Sequence, residues 1–193
     1  NQITERHYWL PGNHDDRDSM VRAAGELRLP QCLDLGRWLV VMLDSQVAGE
    51  VGGELGAAQL ALLNDCLQAA HTREQFVLVC LHHQPVTIGC AWLDEQMVAD
   101  ADAFFTFLDR HDHVRGILWG HVHQEYNGMY KGIKMMSSPS TCIQFLPGSA
   151  DFAVDTANPG YRWLDLYPDG RIETGVERIA ALPGSIDMAS NGY

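Results

Sequence analysis

The sequence predicts an α/β protein in which helices cover a mixed sheet pair and the C-terminal part is antiparallel. Segments typical of strands and helices alternate over the first two-thirds of the chain, whereas strands dominate the last third. Three histidine-bearing polar clusters also follow predicted strands. In sheets of this class, binding sites form at the carboxyl ends of the strands. The pattern therefore predicts one site at that end of the sheet.

The first half of the chain contains two predicted strands and two predicted helices. Residues 6–10 are partly aromatic and apolar, which predicts a strand ending in a polar turn. Residues 19–27 carry apolar side chains at helical spacing, and residues 39–43 form an apolar run typical of a buried strand. A glycine-rich linker over residues 49–56 then opens a second helix. Its periodic positions are Leu60, Leu63, Leu67 and Ala70.

In the second half, residues 76–81 predict another buried strand. It ends at His82-His83-Gln84-Pro85 because Pro85 cannot donate to a further ladder. Residues 168–170 read Pro-Asp-Gly, a turn sequence typical of a β-hairpin. The remaining predicted elements are a helix over residues 100–109, strands over 114–119 and 132–136, and the two hairpin strands over 161–167 and 171–176.

Composition limits the organisation and the partners of the chain. Its 193 residues suit a single domain, 1–193, with a loose polar tail over residues 182–193. A formal net charge of -12 argues against a nucleic acid or an anionic membrane surface as partner. The five cysteines are scattered without a CxxC pair, which predicts reduced thiols and a cytoplasmic location.

The three polar clusters contain side chains suited to metal binding. They are Asn13-His14, His82-His83 and Gly120-His121-Val122-His123. Imidazole and carboxamide ligands suit manganese, iron and zinc, and no thiolate cluster competes with them. Alternate residues of an extended chain face opposite ways, so we expect Gly120 to supply the bend that turns both imidazoles of the last cluster toward one site.

Each cluster also has a purely structural interpretation. His14 alone fits an exposed or capping residue, and Asn13 fits ordinary turn chemistry. His82 and His83 fit a hydrogen-bonded pair beneath a proline turn. The recurrence of such a turn after three separate strands favours a shared site over three unrelated roles.

Three longer motifs stand in a fixed order: Gly12-Asn13-His14-Asp15, His82-His83-Gln84-Pro85 and Gly120-His121-Val122-His123. Together they resemble the last three signature blocks of the calcineurin-like metallophosphoesterases, with a closer match to the bacterial 3',5'-cyclic AMP phosphodiesterase branch. This resemblance implies a four-layer αββα sandwich with two divalent metal ions, iron, manganese or zinc. It also implies hydrolysis of a cyclic nucleotide, cyclic AMP to 5'-AMP, by two-metal activation of a hydroxide.

The resemblance further implies a ligand set for the two metals. Asn13 matches the amide ligand of the second metal. His82 and His121 match imidazole ligands of that same metal. His123 matches a ligand of the first metal.

On the substrate side, the resemblance implies two catalytic residues and three that bind substrate. His14 matches the histidine that stabilises the phosphate or protonates the leaving alkoxide, and Asp15 would orient its ring. Asn13 and His14 are expected to bind the substrate. His83 is also expected within reach of it.

The sequence departs from the family pattern at its start. The family's first two blocks, an Asp-x-His and a Gly-Asp whose aspartate bridges both metals, are not found in the chain. We therefore expect an N-terminally truncated fold without its first strands, which holds one metal ion or none and has weak or no activity. The exposed sheet edge would favour a homodimer. Two alternatives stay open: activity on phosphomonoesters or pyrophosphates, and a non-catalytic dimerisation module.

Overall fold

The main feature of the computed structural model, which describes residues 6–181, is a six-stranded mixed sheet. Four central strands run parallel, and one antiparallel strand closes each edge. The predicted mixed α/β class is confirmed. In spatial order the strands are β1 (Cys32–Asp34), β2 (Trp38–Leu43), β3 (Phe76–Leu81), β4 (Val114–Trp119), β6 (Ile133–Ser137) and β5 (Tyr126–Tyr130).

Helices connect the parallel strands of this sheet. A long helix joins β2 to β3, and two shorter helices lie between β3 and β4. The α-helices of the described chain are α1 (Arg17–Ala24), α2 (Gly56–Thr72), α3 (Ala91–Asp94) and α4 (Ala101–Leu108), and a 3₁₀ turn spans Glu26–Arg28. None of these helices combines the length and the apolar character needed to cross a lipid bilayer.

Two small antiparallel pairs follow the main sheet along the chain. The first pairs β7 (Gln144–Phe145) with β8 (Val154–Asp155). The second pairs β9 (Gly160–Leu166) with β10 (Ile172–Arg178) and confirms the hairpin predicted around residues 168–170. The predicted loose tail over residues 182–193 lies outside the described part of the chain.

The main sheet buries side chains on both of its faces. On one face α2 packs against β2 and α4 packs against α2, and this cluster buries alternate residues of β2, namely Leu39, Val41 and Leu43. On the other face the β9–β10 hairpin covers Trp38 and Val40. Since β2 is buried on both sides, its sequence is a continuous apolar run rather than an alternating one. Helices, main sheet and hairpin thus form three successive layers.

Two predictions near the start of the described chain need correction. The strand predicted over residues 6–10 is wrong: Trp9 donates its N–H to Arg28 O at 2.7 Å, so this segment bonds to the 3₁₀ turn rather than along a sheet. The helix predicted over residues 19–27 begins and ends earlier. The Asp16 carboxylate caps it by accepting from Ser19 N–H at 2.8 Å, and Gly25, with φ 81°, ends it.

Candidate metal centre

The three predicted clusters meet at the carboxyl ends of β3 and β4. Because these strands are parallel neighbours, His82 directly after β3 lies beside the turn that follows β4. Gly120 donates its N–H to His82 O at 3.0 Å and fixes the two strand ends against each other. The loop before α1 is tied to the same place, since Gln46 Nε2 donates to Gly12 O at 2.8 Å and also to Asp15 O.

Asn13, His82 and His121 point polar atoms at one another. Asn13 Oδ1 lies 2.9 Å from His82 Nε2 and 3.3 Å from His121 Nδ1. Ligands about 2.1 Å from one divalent metal ion are themselves roughly 3.0–3.4 Å apart. The two distances from Asn13 Oδ1 therefore suit a shared metal ion.

A hydrogen bond on the far side of the His121 ring determines which of its nitrogens faces Asn13 and His82. Its Nε2–H donates to Gln96 Oε1 at 2.9 Å. Since a neutral imidazole carries one proton, Nδ1 then presents a lone pair toward Asn13 Oδ1, which is also an acceptor. Two acceptors at 3.3 Å repel each other unless a cation lies between them. The side chains thus fit a metal ion better than they fit a hydrogen bond.

Glycines let the backbone come close to two of the imidazoles. A Cβ atom on Gly12 would lie 2.6 Å from His82 Cε1, and one on Gly53 would lie 2.5 Å from His83 Cγ. Real carbon atoms do not approach this closely, so any larger residue would displace the rings. The two glycines therefore help fix the positions of His82 and His83.

The bend in the last cluster does not come from the residue that the sequence indicated. Gly120 is not among the residues with positive φ, whereas His121 and His123 have φ of 56° and 48°. Histidine tolerates this left-handed conformation better than β-branched residues do. The expected bend is present, but the two histidines adopt it themselves, as strained residues at functional sites often do.

His83 lies behind the site rather than on its surface. Its side chain is fully buried, its Nδ1 accepts from Ser45 Oγ at 2.9 Å, and its Nε2–H donates to Val51 O at 3.0 Å. A nitrogen of His83 lies within 4.8 Å of nitrogens of His82 and His121. Both nitrogens of His83 are nevertheless already bonded, so its ring supports its neighbours by packing. His83 is not among the residues that line the cavity, and its predicted substrate contact stays a prediction.

His123 lies next to the first three ligand candidates. Its ring stacks on Phe145, with centroids 4.3 Å apart and planes at 6°. Its Nδ1 is buried without a hydrogen-bond partner in the described chain. An orphaned imidazole nitrogen of this kind is what a metal ligand looks like before the metal binds.

A cavity of about 300 Å³ opens over these side chains. His14 lies on its wall with an exposed side chain. Asp15 Oδ2 accepts from Gly12 N–H at 2.8 Å, so its carboxylate stabilises the turn that presents Asn13 and His14. The orienting action of Asp15 on the His14 ring stays a prediction.

Burial keeps the imidazoles of the site neutral. It lowers the pKa of His82 to about 3 and that of His121 to about 2, with the neighbouring imidazoles adding to the effect in both. Burial also lowers the pKa of His123. Because metals bind the neutral form of imidazole, these side chains are ready to act as ligands.

Fold and site define a class of protein. The model of the calcineurin-like phosphoesterase family matches residues 1–125. The chain belongs to this family of metal-dependent hydrolases.

Individual proteins similar to this chain show which members of the family it resembles. The chain is 44% identical over 186 residues to the 3',5'-cyclic adenosine monophosphate phosphodiesterase CpdA of Pseudomonas aeruginosa, covering 96% of this chain and 68% of that protein. It is 40% identical over 188 residues to the CpdA of Escherichia coli K12, with the same coverage. Among solved structures, a dimetal phosphatase from Danio rerio aligns with a TM-score of 0.56 at 15% identity, over 82% of this chain and 67% of that one, which shows a shared fold.

Sequence reasoning missed residues that support the site without standing in its motifs. Gln96 follows the short helix α3 and bonds His121, and Ser45 follows β2 and bonds His83. Ser45 could have been found, because it lies two residues after the end of the buried strand β2, and His82 likewise lies at the end of β3. Gln96 carried no such signal.

Proposed function

We propose that this protein is a metal-dependent phosphodiesterase that hydrolyses 3',5'-cyclic nucleotides, converting cyclic AMP to 5'-AMP. One observation carries the proposal: Asn13 Oδ1, His82 Nε2 and His121 Nδ1 converge at the base of a cavity. The names of the relatives in Pseudomonas aeruginosa and Escherichia coli support the choice of substrate.

The proposed metal ligands are the side chains with free lone pairs at this point. Asn13, His82 and His121 would hold one divalent ion, and His123 would contribute to a second. Iron, manganese and zinc suit such nitrogen and amide donors. When bound, these ions would neutralise charge on the phosphate and lower the pKa of water.

A bound cation would also offset the electrostatic repulsion between the acidic chain and an anionic substrate. The chain has a formal net charge of -12, and a phosphodiester is an anion. Since the imidazoles of the site are neutral, they cannot offset the repulsion by themselves. Divalent ions would be the largest local charges and would reverse the field within the cavity.

His14 is the proposed proton donor. Opening of the cyclic phosphate to a 5'-monophosphate breaks the bond between phosphorus and the ribose 3' oxygen, which then needs a proton. His14 lies on the cavity wall with an exposed side chain. A positioned acid is worth roughly 10²–10⁴-fold in rate. Asn13 would also contact the phosphate, and Asp15 would set the loop geometry.

The test is an activity assay of the purified protein. It is incubated with Mn²⁺ and either cyclic AMP or bis-p-nitrophenyl phosphate. Release of 5'-AMP from cyclic AMP supports the proposal, and a protein that leaves both substrates intact refutes it. A faster rate on a phosphomonoester or a pyrophosphate would instead assign one of the other activities of the family.

We also propose a cytoplasmic homodimer. The five cysteines are all free thiols, which suits a reducing compartment. Strand β5 lies at the edge of the main sheet, and its Met129 is 64% exposed. Edge strands with exposed apolar side chains favour pairing with a second chain. Sedimentation analysis of wild type and Met129→Lys would detect this association.

A further inference from the structure

The cavity over the metal ligands is divided into a polar half and an apolar half. The polar half holds the side chains already described, with Gln96 and His14 among them. The apolar half adjoins it where the ring of His123 stacks on Phe145. Its members are Val51, Trp92, Leu93, Phe145 and Phe152.

Three aromatic rings form most of the apolar half. Trp92 lies 5.0 Å from Phe145 and 5.3 Å from Phe152 between ring centroids, and the two phenylalanines are 5.4 Å apart. The three pairs are edge-to-face, so the rings hold one another in fixed orientations. They come from α3, β7 and the segment before β8, which only the fold brings together.

Two members of the trio are less buried than ordinary core aromatics, whereas Phe145, at 5% exposed, belongs to the core. Phe104 and Trp119 are 0% and 1% exposed, and neither lines the cavity. Trp92 and Phe152 are only partly buried, and the surface they leave open lies on the cavity wall. Apolar rings kept accessible beside a polar site suit a ligand that carries a planar apolar group.

One of the proposed metal ligands, His123, is in direct contact with this aromatic trio. His123 and Phe145 lie face to face, with centroids 4.3 Å apart. A ligand with its phosphate at the histidines would therefore direct a planar group bonded to its sugar toward Trp92 and Phe152, which line the same cavity. A nucleobase is such a group, because each of its faces is an aromatic surface.

We propose that Trp92 and Phe152, held in place by the buried Phe145, form a stacking subsite for the purine base of the substrate. This inference rests on the proposed function and adds the structural reason why the enzyme would select among phosphodiester substrates. The subsite makes the enzyme prefer nucleoside cyclic phosphates over phosphodiesters without a base.

A binding experiment tests the subsite without metal and without turnover. The chain contains five tryptophans, so the protein labelled with 5-fluorotryptophan gives a small set of ¹⁹F NMR signals. The Trp92→Phe variant assigns one of them. Added adenosine is expected to shift the Trp92 signal in a saturable way, whereas ribose is not. A Trp92 signal that adenosine leaves in place, or shifts no more than that of Trp163, overturns the proposal.

A kinetic experiment compares two substrates that differ only in the base. They are cyclic AMP and the 3',5'-cyclic phosphate of 1-deoxyribose. In Trp92→Leu, the ratio of kcat/KM for cyclic AMP to kcat/KM for the baseless substrate is expected to fall about tenfold. Phe152→Leu should lower the ratio in the same direction and serves if the first variant does not fold.

Trp163→Leu is the matched control, because Trp163 lies on the exposed hairpin strand β9 and does not line the cavity. Its ratio should equal that of wild type. Unchanged ratios in both cavity variants overturn the proposed subsite. A wild-type protein that hydrolyses neither substrate refutes the proposed function instead, and the adenosine titration then still decides the subsite.

Discussion

Gln96 Oε1 accepts a hydrogen bond from His121 Nε2–H at 2.9 Å, and this contact determines that Nδ1 of His121 faces Asn13. The bond works through the imidazole rather than on the substrate. It fixes both the proton and the rotation of the ring before any metal binds. Gln96 is therefore a positioning residue of the proposed metal site.

Replacing Gln96 by alanine is expected to weaken metal binding. Loss of such a partner typically lowers metal affinity about 10- to 100-fold. Calorimetric titration of the metal-free protein with Mn²⁺ measures the change, and Gln68→Ala on the exposed side of α2 is the control. In addition, ¹⁵N NMR of the wild-type histidines should show His121 protonated on Nε2. Equal Mn²⁺ affinities in Gln96→Ala and wild type would show that the contact is incidental.

Gly53 and its neighbour Gly52 provide a matched pair for stability. A Cβ on Gly53 would lie 2.5 Å from His83 Cγ, whereas one on Gly52 meets nothing closer than 3.6 Å. We expect Gly53→Ala to lower the free energy of unfolding by about 1–3 kcal/mol through overpacking. Gly52→Ala should change it by less than about 0.5 kcal/mol. Urea denaturation of both variants tests the difference, and similar losses would argue against tight packing at His83.

The metal-free protein should lose stability as pH falls from about 7 to 5. Burial, followed by the neighbouring imidazoles, lowers the pKa of His82 and His121 far below the ordinary 6.5. Below pH 6.5 the unfolded chain therefore binds protons that the folded chain cannot, so the free energy of unfolding decreases. Urea denaturation at several pH values measures this slope.

The double variant His82→Gln with His121→Gln is the comparison for that slope. Removing both buried imidazoles removes their share of the proton uptake on unfolding. Its stability should consequently fall less steeply over the same pH range. Equal slopes of unfolding free energy against pH in wild type and the double variant would show that burial does not lower the pKa values of His82 and His121.

The sequence predicted the centre of the fold better than its edges. Strands β2 and β3 are continuous apolar runs because helices and hairpin bury them on both faces. Strands β1 and β5 were missed because each is bonded on one side only and is half exposed. In β5, Asn127 and Gly128 also have a low intrinsic preference for strands.

The ligand candidates of the site could be predicted for a related reason. His82 directly follows a recognisable strand and His121 follows another by one residue, and the resemblance to the family assigned their roles. The contact between Gln96 and His121 could not be predicted, since it joins residues 25 positions apart through a loop without periodicity. The approach of Trp92 to Phe152 could not be predicted either, because it depends on how helix α3 and the segment before β8 come together in the fold.

Buried thiols give a prediction far from the metal ligands. Burial raises the pKa of Cys80 to about 12 and, with the neighbouring Cys32, that of Cys66 to about 11. By exposure, Cys66 and Cys90 are buried and Cys80 is half-buried, whereas Cys32 and Cys142 are exposed. Because the thiolate is the reactive form, a disulfide reagent at pH 8 should label two thiols of the native protein quickly and all five after denaturation.

The same thiols set the expected behaviour at alkaline pH. The folded chain holds the protons of Cys66 and Cys80 above the ordinary pKa of 9.0, so the stability that these groups provide is complete below pH 9. It is lost as pH rises toward 11 and 12, because the unfolded chain ionises first. Urea denaturation between pH 8 and 10.5 should show a decline that is smaller in Cys80→Ala. Rapid labelling of more than two thiols in the native protein at pH 8 would contradict the burial on which both expectations depend.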